Sequence, residues 1–295
     1  AIAVFRFRSY GRTPLMKRIM STEDRRSRKE IQAHYRIEKK LARKLRQASR
    51  DERKVLYTRL YAELFESVPY FSEWVSDTQA RMRKVRKQVQ FLSRFLSADQ
   101  TFMDVGAGDC ALAIEVGRHV KKVYALDVAH QVGRGRPVPE NVKLVVSDGT
   151  SVDVPDQSVD IAFSNQLMEH LHPEDARDQL KNIHAAVAPG GLYILITPHR
   201  YCGPHDVSKY FDRIATGFHL KEYTVSELNH LLKQAGFSRV CFFAKFRGLY
   251  KRLNLISLVV LERLITPLPY NLRKSSMNAF PFKLLRRIRL AARKG

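Results

Sequence analysis

Cysteine is scarce in this chain. Cys110, Cys202 and Cys241 are far apart and odd in number, and they form no C-x-x-C pair. That argues against a disulfide framework or a zinc ribbon and fits a reducing compartment. Cys110 reads as a small packed residue rather than a reactive thiol. A long apolar run is also missing. Near the C-terminus the longest, Leu255 to Leu261, stops at Glu262 and Arg263, whereas a bilayer-spanning helix needs about 20 apolar residues. The third shortage is acid, and it is local. Residues 1–100 hold 25 Lys+Arg against 11 Asp+Glu, and residues 245–295 hold 13 against 1. Residues 101–244, by contrast, hold 14 against 17. A nearly neutral middle therefore sits between two basic flanks. Such flanks suit an anionic partner: a phosphorylated substrate, an anionic membrane or nucleic acid.

What is present is globular. Hydrophobic residues make up 44% of 295, enough for a sizeable core. The first 22 residues carry Arg6, Arg8, Arg12, Lys17 and Arg18 and no acid until Glu23. This composition is similar to a transit peptide. Met16 and Met20 precede the first clear helix, so residues 1–20 read more plainly as a disordered or mis-started basic segment. Residues 21–98 are expected as an N-terminal helical extension. Ser21 caps its first helix, with Glu23 and Asp24 in the first turn. Ile31, Tyr35, Ile37, Leu41 and Leu45 form an apolar face, and Tyr57, Tyr61 and Phe65 recur every four residues as a packing stripe. Pro69 breaks the pattern. A helix over 75–97 then turns Met82, Val85, Val89, Leu92 and Leu96 inward.

From residue 99 the period changes. Short apolar strands are predicted at 101–105, 121–128, 141–147, 159–164, 192–197 and 238–244. Helices fall at 109–119, 173–188 and 225–235, the last opened by the capping box Thr224-x-x-Glu227. This alternation predicts an α/β, Rossmann-like, parallel-dominated sheet with helices on both faces over residues 99–247. Residues 248–295 form a basic amphipathic C-terminal segment. Leu249, Leu253, Ile256, Val260, Leu261 and Leu264 suggest a helix ended by Pro267 and Pro269, a helical insertion before a last strand that returns to the sheet near 287–293.

Ligands of such a sheet bind at the carboxyl ends of its strands. The first strand ends in Asp104-Val105-Gly106-Ala107-Gly108, where glycines let the backbone turn and approach a ligand. The second ends in Asp127-Val128, the third in Asp148-Gly149 and the fourth in Asn165. Gly106 to Ala111 also fits the dinucleotide pattern G-x-G-x-x-G/A, so an NAD(P)-binding oxidoreductase is the rival. Against it stands Asp104: a carboxylate inside the strand offers nothing to a pyrophosphate but suits an ammonium group.

The runs DVGAGDCALA, YALDV, VVSDG, SVDIAFSNQLMEHL and APGGLYILITP resemble the class I S-adenosylmethionine-dependent methyltransferases, in particular the broad type 11 small-molecule group. The resemblance covers roughly residues 100–245. It implies S-adenosyl-L-methionine as cofactor. Asp104, Gly106, Ala107 and Gly108 would lie along its methionine part, Asp127 with Val128 at the ribose, Asp148 with Gly149 at the adenine amino group, and Asn165 near the methyl. One position departs from the family pattern: Cys110 stands where a glycine is usual.

For the acceptor, His170 or His205 is the expected general base. His199, His205, Asp206 and His219 match no standard ligand spacing, so no metal is expected. No [DN]-P-P-[YF] motif follows the fourth strand, which counts against an exocyclic amine of nucleic acid. The reading reached is an O-methyltransferase of a small molecule, a lipid-linked compound or an envelope sugar. It is cytoplasmic, with peripheral contact to anionic membrane through 248–287. An RNA methyltransferase using the basic flanks and a non-catalytic basic binding module are the alternatives.

Overall fold

The structure, a computed structural model, describes residues 24, 26–68, 78–128 and 137–295. The expected basic segment 1–20, the Ser21 cap and the Pro69 break lie outside the described residues. Two helices open the described chain, α1 (Arg28–Gln47) and α2 (Arg50–Ser67), each started by a capping box, Ser27 with Glu30 and Ser49 with Glu52. After α3 (Thr78–Leu92) strands and helices alternate: β1 (Thr101–Val105), α4 (Ala111–Val116), β2 (Lys122–Asp127), β3 (Val142–Val146), β4 (Val159–Asn165), α5 (Pro173–Ala186), β5 (Val187–Pro198), α6 (Val225–Gln234) and β6 (Arg239–Phe246). Then come β7 (Leu249–Leu253), α7 (Leu255–Ile265), α8 (Tyr270–Ser276) and β8 (Arg287–Arg293).

The strands form one sheet in the order β3-β2-β1-β4-β5-β8-β6-β7. The first five are parallel, and β8 enters antiparallel between β5 and β6. Side chains alternate strictly between two cores, as the pleat requires. Met103, Tyr124, Leu126, Ala162, Tyr193 and Leu195 face a core completed by α1, α2, α5, α6 and α7. Phe102, Val123, Ala125, Ile161, Phe163 and Ile194 face the other, completed by α3 and α4. Helices therefore cover both faces, which explains why β1 and β4 read as near-continuous apolar runs.

The N-terminal helices are tied to this body by a buried ion pair. Arg53 Nε donates to Asp175 Oδ2 at 2.7 Å and Arg53 NH2 to Asp175 Oδ1 at 2.8 Å. Tyr57 donates its hydroxyl to the same Oδ2 at 2.7 Å.

The C-terminal segment differs from expectation. Leu249 and Leu253 belong to β7, which pairs with β6 through the two-residue turn Arg247-Gly248, both at positive φ (47° and 85°). That is the favoured geometry of a tight hairpin, so the sheet runs on past residue 247. Helix α7 starts at Leu255 and buries Leu258, Glu262 and Ile265, while Ile256, Val260 and Leu264 are 75%, 51% and 64% exposed. The apolar positions expected on one helix are therefore divided between strand β7 and the outward face of α7. Glu262 is the anchor: its carboxylate accepts from Val225 N at 2.7 Å and Ser226 N at 3.0 Å at the start of α6, and lies 2.7 Å from His199 Nε2. Among the described residues no helix is long and apolar enough to cross a membrane.

Candidate functional site

Strand order reverses between β1 and β4, and a crevice opens there at their carboxyl ends. The chain leaves β1 through Gly106 (φ +78°), where a Cβ would lie 3.1 Å from the Leu167 side chain. Gly106 N and Ala107 N both donate to Leu126 O at 2.8 Å, folding the loop over the end of β2. Gly108 N then donates to Asp127 Oδ2 at 2.7 Å. Cys110 adopts a left-handed conformation (φ 59°) and is fully buried just before α4. This is the position where glycine is usual, and it shows why. A side chain there costs on the order of 1–2 kcal/mol, which burial of the thiol offsets in part.

Asp104 is buried, and its carboxyl makes no hydrogen bond or ion pair among the described residues. Burial first, then the neighbouring Asp127 and Asp109, push it up to about 7. A cationic ligand group would relieve that arrangement. Asp148 is differently placed. One of its oxygens accepts from Thr150 N, Thr150 Oγ1 and Ser151 N at 2.7–2.8 Å. Burial works to raise Asp148, but these bonds outweigh it and hold the carboxyl below its ordinary value. Helix α2 reaches over this end: Thr58 Oγ1 donates to Val128 O at 2.7 Å, and the Tyr57 ring packs on Gly149. Asn165 ends β4 half-buried, and Gln166 follows in a left-handed conformation (φ 58°) with its buried Nε2 unpartnered among the described residues. Unsatisfied buried groups of this kind are rare and need a reason. An ammonium beside Asp104 and a polar ligand edge beside Gln166 supply one, so the residues present fit S-adenosylmethionine.

The other end of the crevice is made of side chains. Glu169 and His170 sit on the short turn Met168–His170. Glu169 is buried and its Oε2 accepts from Thr197 Oγ1 at 2.9 Å. His170 Nδ1 lies 3.1 Å from Phe218 O, and burial lowers its pKa to about 3, so the ring is neutral. His219 meets His170 edge to face at 4.7 Å between ring centroids. His219 Nδ1 is 2.8 Å from Glu222 Oε1, and His205 Nδ1 is 3.3 Å from Glu222 Oε2. Burial works against a charged His219, but the bond to Glu222, helped by Glu169, lifts its pKa to about 9. Burial alone would raise Glu222, but the bonds from His205 and His219 hold it at about 2. Tyr61 on α2 packs against His170 and Phe218.

His170, His205 and His219 thus share one neighbourhood. His199 does not join them, because Glu262 holds it; Asp206 caps its own turn at Ser208 and accepts from His219 N at 3.3 Å. The four-residue set His199, His205, Asp206, His219 therefore does not assemble. Sequence reasoning missed Glu222 and Gln166. Neither stands in a motif, and each acquires meaning only from what folds against it. Of the aromatic stripe of α2, Tyr57 and Tyr61 pack as expected and roof the two ends, whereas Phe65 is 44% exposed.

Residues 76–241 match the methyltransferase-domain family. The chain belongs to this family. An uncharacterized methyltransferase of Mycobacterium tuberculosis is 30% identical to it over 101 residues, 33% of this chain and 50% of that protein. A probable S-adenosylmethionine-dependent methyltransferase of Mycolicibacterium smegmatis is 27% identical over 152 residues, 51% of this chain and 57% of that protein. The chain spans about half the length of the curated relatives it matches. The solved structure of a possible histamine N-methyltransferase from Thermotoga maritima, at 14% identity, superposes with a TM-score of 0.51 over 77% of this chain and 97% of that one. That likeness is one of fold. The methyltransferase domain carries S-adenosylmethionine as its cofactor, and the dinucleotide alternative left open by Gly106 to Ala111 falls with the family match.

Proposed function

We propose that this methyltransferase domain O-methylates a small-molecule or lipid-linked acceptor, envelope sugars included. The observation that carries the cofactor side of the reading is Asp104, a buried carboxyl with no hydrogen bond or ion pair among the described residues, just before the glycine loop. S-adenosylmethionine, when bound, supplies a sulfonium methyl group that an oxygen can attack directly. Asp104 holds the ammonium, Asp127 the ribose hydroxyls, and the second oxygen of Asp148 the adenine amino group. The backbone of Gly106, Ala107, Gly108, Val128 and Gly149 gives close approach, and Asn165 faces the methyl. Fixing donor and acceptor in line supplies on the order of 7–11 kcal/mol of the barrier. For the acceptor proton, His205 is the better base, since Glu222 beside it offsets the charge gained. His170, neutral down to about 3, suits hydrogen bonding instead. A positioned base adds about 10²–10⁴-fold.

The exposed apolar stripe Ile256, Val260 and Leu264 supports the lipid-linked version. It stands beside Arg252, Arg263 and Arg273, a pattern suited to an anionic membrane interface. The protein would then be cytoplasmic and peripheral to the membrane. A second reading rests on a surface groove of about 350 Å³ on α1, lined by Arg36, Lys39, Lys40, Arg43 and Lys44. It suits phosphates of RNA.

Labelled methyl from S-adenosylmethionine, offered to total lipid and to total RNA, separates these. Label in the lipid fraction supports the first reading. Label confined to RNA replaces it. In sedimentation with phosphatidylglycerol vesicles, replacing Ile256, Val260 and Leu264 by serine should abolish binding. Equal binding removes the membrane contact.

A further inference from the structure

We propose that Glu169, His170 and His219 form a binding site for a divalent first-row transition-metal ion at the acceptor end of the crevice. One ligand atom from each of the three lies within 4.8 Å of the others. The three come from two separate segments, the turn after β4 and the loop before α6, which the fold brings face to face.

The hydrogen bonds around the trio point the same way. Glu169 is fully buried, and while Oε2 accepts from Thr197, Oε1 is buried with no hydrogen-bond partner among the described residues. Leaving a buried carboxylate oxygen unpaired is costly. Both histidines are already oriented. Among the described residues His170 Nδ1 is hydrogen-bonded to the Phe218 carbonyl oxygen, an acceptor, so Nδ1 carries the proton and Nε2 keeps a lone pair. His219 directs Nδ1 to the Glu222 carboxylate, so Nε2 is the nitrogen left for an ion, which would displace the proton it carries. A histidine whose Nδ1–H is fixed on a carbonyl or carboxylate is the usual form of a metal ligand, with the second partner setting the tautomer. Glu222 is in turn held by His205 N at 2.7 Å. An ion would pair the open Oε1 and draw on both lone pairs at once.

The donor set selects the class of ion. Two imidazoles and one carboxylate with open positions suit zinc, iron(II), manganese or cobalt rather than calcium or magnesium. Metal–nitrogen bonds of about 2.0–2.1 Å require the donors to draw in from their present spacing, a movement within reach of side-chain rotation. A remaining position on the ion would take an acceptor oxygen. That last role rests on the methyltransferase reading, whereas the binding of the ion does not.

The test uses the full chain, stripped with chelator and titrated with cobalt(II) while its visible d–d absorption is followed. S-adenosylhomocysteine binding is measured on the same samples. One equivalent of cobalt should bind with the spectrum of nitrogen and oxygen ligands. Glu169→Gln and His219→Ala should each weaken it at least about tenfold while S-adenosylhomocysteine still binds, and His119→Ala on the surface should change nothing. If the chain binds S-adenosylhomocysteine but takes up no stoichiometric cobalt, the metal site is wrong and the cofactor reading stands. Equal cobalt binding by wild type and by His219→Ala also overturns it. Cobalt binding without S-adenosylhomocysteine binding keeps the site and removes the cofactor reading instead.

Discussion

At the ends of β1, β2 and β3 the polar groups are main-chain amides and three carboxylates, each at its own strand terminus: Asp104, Asp127 and Asp148. At the ends of β4 and β5 they are side chains from a short turn and a long loop: Glu169, His170, His205, His219 and Glu222. The first end depends on loop geometry. Gly108 N is fixed on Asp127, and the amides of Gly106 and Ala107 on Leu126 O. The second depends on charge balance among buried groups, with Glu222 held low and His219 high by one shared contact. On the proposed reading, the domain keeps its methyl donor on a backbone frame and its acceptor among side chains on loops, which can be exchanged.

The roof joins the two ends, and cutting it gives the largest expected effect. Arg53→Met leaves Asp175 buried without its cation. A stability loss of about 3–5 kcal/mol is expected, read by denaturant unfolding, with weaker cofactor binding because α2 loosens over both ends. A loss under about 1 kcal/mol would mean that α2 is held by apolar packing alone.

Asp127→Ala separates the ends. Cofactor affinity should fall by roughly 30–150-fold, the 2–3 kcal/mol of hydrogen bonds to a charged group. His219→Ala should leave it unchanged. Calorimetry with S-adenosylhomocysteine measures both, and equal losses would merge the two ends into one unit.

Asp104→Asn should move stability and binding in opposite directions. The folded pKa of Asp104, about 7, lies above its unfolded value of 3.8, so the folded state holds the extra proton. Its destabilising contribution therefore grows as pH rises from about 4 to 7 and is complete above that. At pH 8 the ligand-free variant should be more stable than wild type, by roughly 1–3 kcal/mol. Its cofactor affinity should be weaker. In wild type, affinity should fall about fivefold as pH drops from 7 to 6, because the ammonium needs the ionised carboxyl. In Asp104→Asn that slope should vanish.

The smallest effect concerns the region outside the crevice. Glu262 is desolvated, yet the bond to His199 and those from Ser226 hold its folded pKa below the ordinary carboxylate value. Its contribution is thus complete above that ordinary value and lost as pH falls below it. Glu262→Gln should cost about 1 kcal/mol at neutral pH and nothing near pH 2. A constant difference across pH would mean that shape rather than charge anchors α7.

The cofactor end was legible because it is local. The β1–loop–α4 unit places Asp104, Gly106 and Gly108 within a few residues of one another, and strand periodicity marks Asp127 and Asp148 as strand ends. Residues 249–264 were misread for the opposite reason. A spacing of four fits both the strand and the outer face of a helix, and the two-residue turn at Arg247-Gly248, the local signal for a hairpin, was passed over. Glu262 reads in the sequence as the residue that stops an apolar run, yet it is the group that α6 and His199 close upon.

Amino-acid order alone therefore determined the alternating α/β architecture, the glycine loop, the carboxylates at three strand ends and the charge division between middle and flanks. All of these arise from periodicity and short-range backbone geometry. Tertiary structure alone decided that Glu169 and His170 meet His219, that Glu222 sets the state of two histidines, that α2 roofs the crevice and that Ile256, Val260 and Leu264 face outward. Most of those contacts join distant segments, and the near pair His219 and Glu222 acquires its role only beside Glu169 and His170. Burial and pairing, which set the charge of each group, exist only once the sheet has brought the segments together.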